Sequence, residues 1–410
     1  MRILQIDKFF DLARPAAGGA GTYIPLVTRR LRRDGHRVAH FGCAGPGGPA
    51  EMPRFIDYTD LGGLWSKLRG AARIVHDGGA AAKLDAFLAG RRVDVAHVHR
   101  IYHHLTPAIL PVLRRRGIAV VMSVRDYRLL CPAKSVVLGG RVCMRCFGHR
   151  WHHCVVHNCV GSRSAGVAVA AETMIQRFFR RYINHVDLFL CPSRFMAAAL
   201  VADGFPANKV RVLGNPIEPL APGPPGPGPG TILTVGRLSE EKGLDLMLDV
   251  AAACPDREVA LVGDGPMMPA LRAEVASRGL GNVALAGHVP HAGLGAWYGR
   301  ADVVVVPSRC LENSPHSMLE GMLAGRCVVA ADHPPIREWI DDGRTGRLFA
   351  SGDAGALASV VRGVLADEPA RRRMGAEAAE MVRARHDPDD IVNRLVEAYR
   401  QAVERRCASR

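Results

Sequence analysis

Asp302-Val-Val-Val-Val-Pro-Ser-Arg-Cys-Leu-Glu312-Asn-Ser-Pro-His-Ser-Met-Leu-Glu320 runs from a strand through a loop into a helix. Residues 302–307, Asp-Val-Val-Val-Val-Pro, carry a short apolar run, as in a strand buried on both faces of a parallel sheet. The segment that follows therefore lies at the C-terminal edge of a sheet, where open α/β folds receive ligands. Glu312 and Glu320 are eight residues apart, about two helical turns, and carboxylates at such an edge can accept hydrogen bonds from hydroxyls. Two glutamates near a helix start also suit the macrodipole alone, so the neighbouring strand ends decide between the two readings.

Upstream, an apolar strand at 232–235 leads through Gly236-Arg237-Leu-Ser-Glu-Glu-Lys242-Gly243 into a helix at 244–252. Two fixed cations beside a helix start suit a diphosphate: Arg237 offers a planar fork and Lys242 a point charge, and both can neutralise charge developing on a leaving group. Further strands at 259–262 and 283–286 end in Gly263-Asp-Gly-Pro266 and Gly287-His288-Val289-Pro290, tight turns at the same edge.

The first half has the same rhythm. Strands near 2–6, 37–41, 95–98, 119–123, 188–191 and 210–213 alternate with helical stretches, the pattern of a doubly wound parallel sheet. Residues 219–230, Pro-Leu-Ala-Pro-Gly-Pro-Pro-Gly-Pro-Gly-Pro-Gly, cannot form the interior of a helix or strand and read as an extended linker. A chain of 410 residues exceeds one hydrophobic core, and 48% hydrophobic with 23% charged residues is an ordinary globular balance. No run of eighteen apolar residues occurs, and Met1-Arg-Ile-Leu-Gln-Ile-Asp reads as a strand start rather than a signal peptide, so a cytoplasmic location is expected.

The ordered series Gly-Arg-Leu-x-x-x-Lys-Gly at 236–243, Val-Gly-Asp-Gly-Pro at 262–266, Gly-His-Val at 287–289 and Glu-Asn-Ser-Pro at 312–315 followed by Glu320 resembles the C-terminal domain of retaining glycosyltransferases of family 4. The first half carries matching pieces: Gly18-Gly19-Ala-Gly21, Asp94-Val-Ala-His-Val-His99, Asp126-Tyr127, Cys191-Pro-Ser193 and Gly214-Asn-Pro216. The resemblance implies the GT-B fold, two Rossmann-like doubly wound parallel-sheet domains facing a cleft. An acceptor-side domain would span 1–218, a linker 219–230 and a donor domain 231–387, with a helix at 388–410 crossing back to the first domain. It also implies transfer of a sugar from a UDP- or GDP-linked donor to a hydroxyl of a glycan, lipid-linked or small-molecule acceptor, with retention and no cofactor. Arg237 and Lys242 would stabilise the leaving diphosphate, and Glu312 would hold sugar hydroxyls beside the amides of Asn313 and Ser314. Glu320 would hold the ribose, while Gly236, Gly263, His288 and Val289 would line the donor. A GT-B epimerase or a non-catalytic sugar or polyanion binder is the alternative, and release of nucleoside diphosphate from a nucleotide-sugar separates them.

On the acceptor side, Gly18, Gly19 and Gly21 open a helix whose N-terminus favours anionic groups. Their spacing is not that of a dinucleotide-binding turn, which argues against an oxidoreductase. His97 and His99 alternate with Val98 and share a face, His99 being the expected cleft residue. Many relatives have His-Asp-Tyr where this chain has Arg125-Asp126-Tyr127. A guanidinium does not carry protons near neutral pH, so Arg125 either binds an anionic group or lies outside the reaction centre.

Charge is divided unevenly: residues 1–218 carry net +18 and the remainder −3. Basic runs such as Arg177-Phe-Phe-Arg-Arg-Tyr182 suit an anionic membrane surface, which allows a peripheral location on its inner face; solvated helix faces would also account for them. No nucleic-acid-binding motif accompanies them. Five of the eleven cysteines, Cys131, Cys143, Cys146, Cys154 and Cys159, fall in the segment 131–159 among four histidines. Cys143-Met-Arg-Cys146 has metal-knuckle spacing, so a structural zinc on Cys143, Cys146, Cys154 and Cys159 is expected, with Cys131 as a substitute. Similar cysteine-bearing insertions occur in relatives, which marks a family subtype.

Overall fold

The computed structural model describes residues 1–8, 19–44, 51–53, 64–221 and 230–408. Its contacts divide the chain into two units, Met1–Lys134 with Met144–Leu213 and Asp389–Arg410, and Ser135–Cys143 with Gly214–Pro388. The strands in chain order are β1 (Arg2–Asp7), β2 (Arg37–Gly42), β3 (Val95–Val98), β4 (Ala119–Ser123), β5 (Val137–Leu138), β6 (Arg141–Val142), β7 (Leu188–Cys191) and β8 (Val210–Val212), then β9 (Thr231–Val235), β10 (Val259–Val262), β11 (Val283–Gly287), β12 (Ala301–Val306), β13 (Cys327–Ala331) and β14 (Arg347–Phe349).

Each unit is built on one six-stranded parallel sheet, with the order β2-β1-β3-β4-β7-β8 in the first and β11-β10-β9-β12-β13-β14 in the second. The doubly wound architecture expected from the strand–helix rhythm is therefore present. In the second sheet the chain moves outward from β9 through β10 to β11, then returns to β9's other side with β12. That reversal is the topological switch point, and a crevice opens there because the connections from β9 and β12 leave toward opposite faces.

The apolar run of β12 is explained by burial on both sides. Val303 and Val305 pack with Ile232, Leu261 and Val329 in one core layer, while Val304 and Val306 pack with Leu233, Ala260 and Val328 in the other. Alternate residues from Val303 to Val306 thus serve two cores, leaving no position among them for a polar side chain.

In the first unit the last helix, Pro388–Ala408, joins the core of the sheet. Its Ile391, Leu395 and Tyr399 lie with Ile3, Val27, Val95 and Val121. His97 helps hold it: Nδ1 pairs with the Tyr399 hydroxyl at 2.7 Å and Nε2 with Ser123 Oγ at 2.8 Å.

Two expectations shift. The helix expected to follow a glycine loop spans Gly19–Arg33, so Gly19 and Gly21 lie in its first turn, while Gly18 and linker residues 222–229 lie outside the described residues. The cysteine-rich segment contains an antiparallel hairpin, β5–β6, whose register pairs Val137 with Val142.

Gly263, at φ +140, closes the turn after β10 with its N–H on Gly287 O, and a Cβ there would run into Gly236 O. Both the backbone angle and the space exclude a side chain. Gly263→Ala is expected to destabilise the second unit by about 1–3 kcal/mol, read as a lower denaturant midpoint; an unchanged midpoint would show that the turn tolerates a side chain.

Candidate donor site at the switch point of the second sheet

Lys242 and Glu312 meet where β9 and β12 end. The connection after β9 makes a short turn at Glu240–Lys242 closed by Gly243 at φ +66, whose hydrogens face Pro307 O at the end of β12 so closely that a Cβ would collide. This approach lets Lys242 Nζ donate to Glu312 Oε1 at 2.5 Å, an oxygen that also accepts from Ser308 Oγ at 2.6 Å. The two loops are locked a second time. Arg309 forks onto both oxygens of Asp245 at 2.6 Å, and its backbone N–H donates to Glu241 O at 2.9 Å. Arg309 also lies along the β5–β6 hairpin, with its Cδ 3.6 Å from where a Cβ on Gly140 would stand.

Burial of Lys242 works against its ammonium, but the Glu312 carboxylate outweighs it and holds the pKa above the ordinary value. Burial likewise pushes Glu312 up, and the Lys242 charge, its hydrogen bond and that of Ser308 reverse the direction, leaving the carboxyl below its usual value. Both groups are therefore charged at neutral pH. Among the described residues no donor reaches Glu312 Oε2. The hydroxyl of Ser314, two residues on, is buried and has no partner among the described residues, which is costly unless a ligand satisfies it. Asn313 is buried beside it. Arg237 is exposed at the end of β9, and no hydrogen bond or ion pair occupies its guanidinium among the described residues.

Glu320 lies in the helix His316–Leu323, buried, with Oε2 accepting from the Tyr298 hydroxyl at 3.0 Å and Oε1 paired with His291 Nε2 at 2.9 Å. A carboxylate has about four lone-pair positions, so capacity remains for further hydroxyls. His291 is raised above its ordinary pKa, chiefly by the hydrogen bond to Glu320. Tyr298 is raised well above its own by burial, so it remains a hydroxyl donor. Sequence reading missed both, together with buried His333, whose Nε2 pairs with Ser308 O at 2.9 Å. His291, two residues beyond the Gly-His-Val turn, was within reach of a search for partners of Glu320. Tyr298 and His333 sit in stretches with no polar pattern. Gly236, Gly263, His288 and Val289 lie at the ends of β9, β10 and β11, with His288 exposed.

Of the residues expected on the acceptor side, His99, Arg125 and Asp126 lie in the first unit. His99 is fully enclosed, its Nε2 paired with Gln5 Oε1 at 2.7 Å, and burial holds its pKa well below the ordinary value. Arg125 stacks over the Tyr23 ring at 3.4 Å from the centroid, and burial lowers its pKa. Asp126 accepts from the backbone of Arg128 at 3.0 Å. The zinc tetrad is not assembled: among the described residues no three His, Cys, Asp or Glu side chains stand as metal ligands. Cys143 follows the hairpin into the second unit, whereas Cys146, Cys154 and Cys159 belong to the first. Cys131, the substitute, instead takes a hydrogen bond from the Cys146 thiol, which lowers it to about 7.

Residues 17–219 match the family described as Glycosyltransferase Family 4, and residues 222–381 match Glycosyl transferases group 1. The chain belongs to the family 4, group 1 glycosyltransferases. It is 30% identical over 175 residues to alpha-D-kanosaminyltransferase of Streptomyces kanamyceticus, a match covering 42% of this chain and 45% of the relative. The chain spans about half the length of the first curated relatives it matches. Among solved structures, sucrose-phosphate synthase of Thermosynechococcus elongatus superposes with a TM-score of 0.74 at 20% identity, covering 98% of both chains. Anabaena HepE in complex with UDP and glucose superposes at 0.65 and 17% identity, covering 96% of this chain and 98% of that one. These neighbours place the architecture in the GT-B class.

The His291–Glu320 pair gives the protein a testable pH dependence. A histidine raised on folding stabilises fully below its unfolded value of about 6.5 and loses that contribution as pH climbs through the folded value. The melting temperature of the wild type minus that of His291→Gln should therefore be larger at pH 5.5 than at pH 9. An equal difference at both would remove the ion pair from the account.

Proposed function

We propose that the protein transfers a sugar from a nucleoside-diphosphate sugar to an acceptor hydroxyl with retention at the anomeric carbon. The observation that carries this reading is the charged Lys242–Glu312 pair at the switch point of the second sheet, with one Glu312 oxygen left without a donor among the described residues. Lys242 and Arg237 bind the diphosphate and take up the charge that develops as its bond to the anomeric carbon breaks. Glu312 Oε2 accepts sugar hydroxyls with the Ser314 hydroxyl and Asn313 beside it, and Glu320 accepts those of the ribose. Backbone at 287–289, with His288 and Val289, meets the base, while Gly236 and Gly263 let the chain approach the donor.

A UDP- or GDP-linked donor fits these groups, and a UDP-bound neighbour of the same fold supports the former. The acceptor, a glycan, lipid-linked alcohol or small molecule, would meet the first unit around Gly19, Gly21 and Asp126. Such chemistry serves cell-surface polysaccharide, glycolipid or secondary-metabolite glycosylation on the cytoplasmic side. An epimerase or a non-catalytic binder has no observation in its favour.

Incubation with a panel of nucleotide-sugars, without acceptor, should release nucleoside diphosphate slowly from one of them, and a chelator should not stop it. Lys242→Ala should lower the rate by about 10²–10³-fold. Because that change also strands the Glu312 charge, Lys242→Ala with Glu312→Gln should recover the melting temperature but not the rate. Near-normal turnover in either variant would refute the assignment, as would release from none of the panel.

A further inference from the structure

The helix Arg163–Phe178 in the first unit is turned inside out. Its buried face carries Glu172, Thr173 and Gln176, each under a tenth exposed, whereas Val167 and Met174 are 54% exposed and Phe178 is 79% exposed. Successive residues advance 100°, so positions 167, 174 and 178 fall within a narrow sector of one face. The buried polar side is committed inside the unit: Glu172 Oε2 accepts from Arg128 Nη2 at 2.9 Å and Gln176 Nε2 donates to Val75 O at 2.6 Å. The helix therefore cannot rotate to hide its apolar stripe.

Phe179, 56% exposed, extends the stripe with its ring edge-on to Phe178 at 5.2 Å. The helix His152–Val156 packs against this one at Gly166, where a Cβ would stand 3.4 Å from Val155 Cα, and it presents Val156 at 64% exposure. All eight exposed large hydrophobic residues among those described lie between Met144 and Val212, so this is a concentration and not the usual scatter.

The surrounding charge has one sign. Residues 144–203 contain seven arginines and three carboxylates, Glu172, Asp187 and Asp203. All three carboxylates are buried. Exposed Arg163 stands at one end of the stripe and exposed Arg180 at the other, followed by Arg181 against the Phe179 ring. No helix among the described residues is long and apolar enough to cross a membrane.

We propose that this face docks on an anionic lipid bilayer, with Val167, Met174, Phe178 and Phe179 entering the acyl boundary and Arg163, Arg180 and Arg181 meeting lipid phosphates. An apolar stripe about 17 Å long from Val167 to Phe178, flanked by cations and, among residues 144–203, free of exposed carboxylates, matches a surface that is apolar inside and negative at its rim. A protein partner would be expected to pair cations as well as acids with this face, and residues 144–203 expose no acid to pair with a partner's cation. The inference is independent of the transfer chemistry, since docking is read without substrate.

The test is co-sedimentation of the full chain with vesicles of phosphatidylcholine alone or with 40% phosphatidylglycerol. Binding is expected to the anionic vesicles and to fall by about tenfold or more in Phe178→Glu with Met174→Glu, at an unchanged melting temperature. Arg163→Glu with Arg180→Glu should abolish the preference for anionic over neutral vesicles. No binding to anionic vesicles, or binding unaffected by the Phe178 and Met174 changes, would overturn the proposal. So would self-association in solution that the same changes abolish while vesicle binding persists, because the face would then be an interface between copies.

Discussion

One ion pair organises the second unit. Lys242 and Glu312 are seventy residues apart in sequence, and they meet only because β9 and β12 are neighbours across the reversal of strand order. Gly243 lets the first loop lie on the end of β12, and the Arg309–Asp245 fork fixes the second loop to the first. The pair keeps both groups charged in a place where burial alone would neutralise them. A removed partner would leave an uncompensated charge, so the arrangement resists loss of either residue.

The parallel sheets were legible because burial on both faces demands apolar runs, and β12 with β13 answers two cores at once. The ends of those strands were legible because glycines and charges cluster where backbones approach. Partners across the fold were not. Tyr298 and His291 reach Glu320 from segments 22 and 29 residues away; the turn before His291 was a local sign, whereas nothing near Tyr298 distinguishes it from an ordinary core residue. The local structure of the cysteine-rich segment was not legible either: spacing gave no sign of the hairpin that pairs Val137 with Val142 just before Cys143.

The first unit shows polar groups used for support. His97 and His99 alternate as their positions require, but His97 joins the sheet to the last helix through Tyr399, and His99 closes on Gln5. Arg125 spends its planar face on Tyr23. The helix Arg163–Phe178 carries the same logic outward: buried polar partners fix its orientation, and the apolar side is left to the exterior.

A crystal structure of the protein with a nucleoside-diphosphate sugar tests the central claim most directly. The account places diphosphate oxygens within about 3 Å of Lys242 Nζ, a sugar hydroxyl on Glu312 Oε2 and a ribose hydroxyl on Glu320. A donor bound elsewhere, with the Lys242–Glu312 pair undisturbed and Ser314 still without a partner, would contradict it.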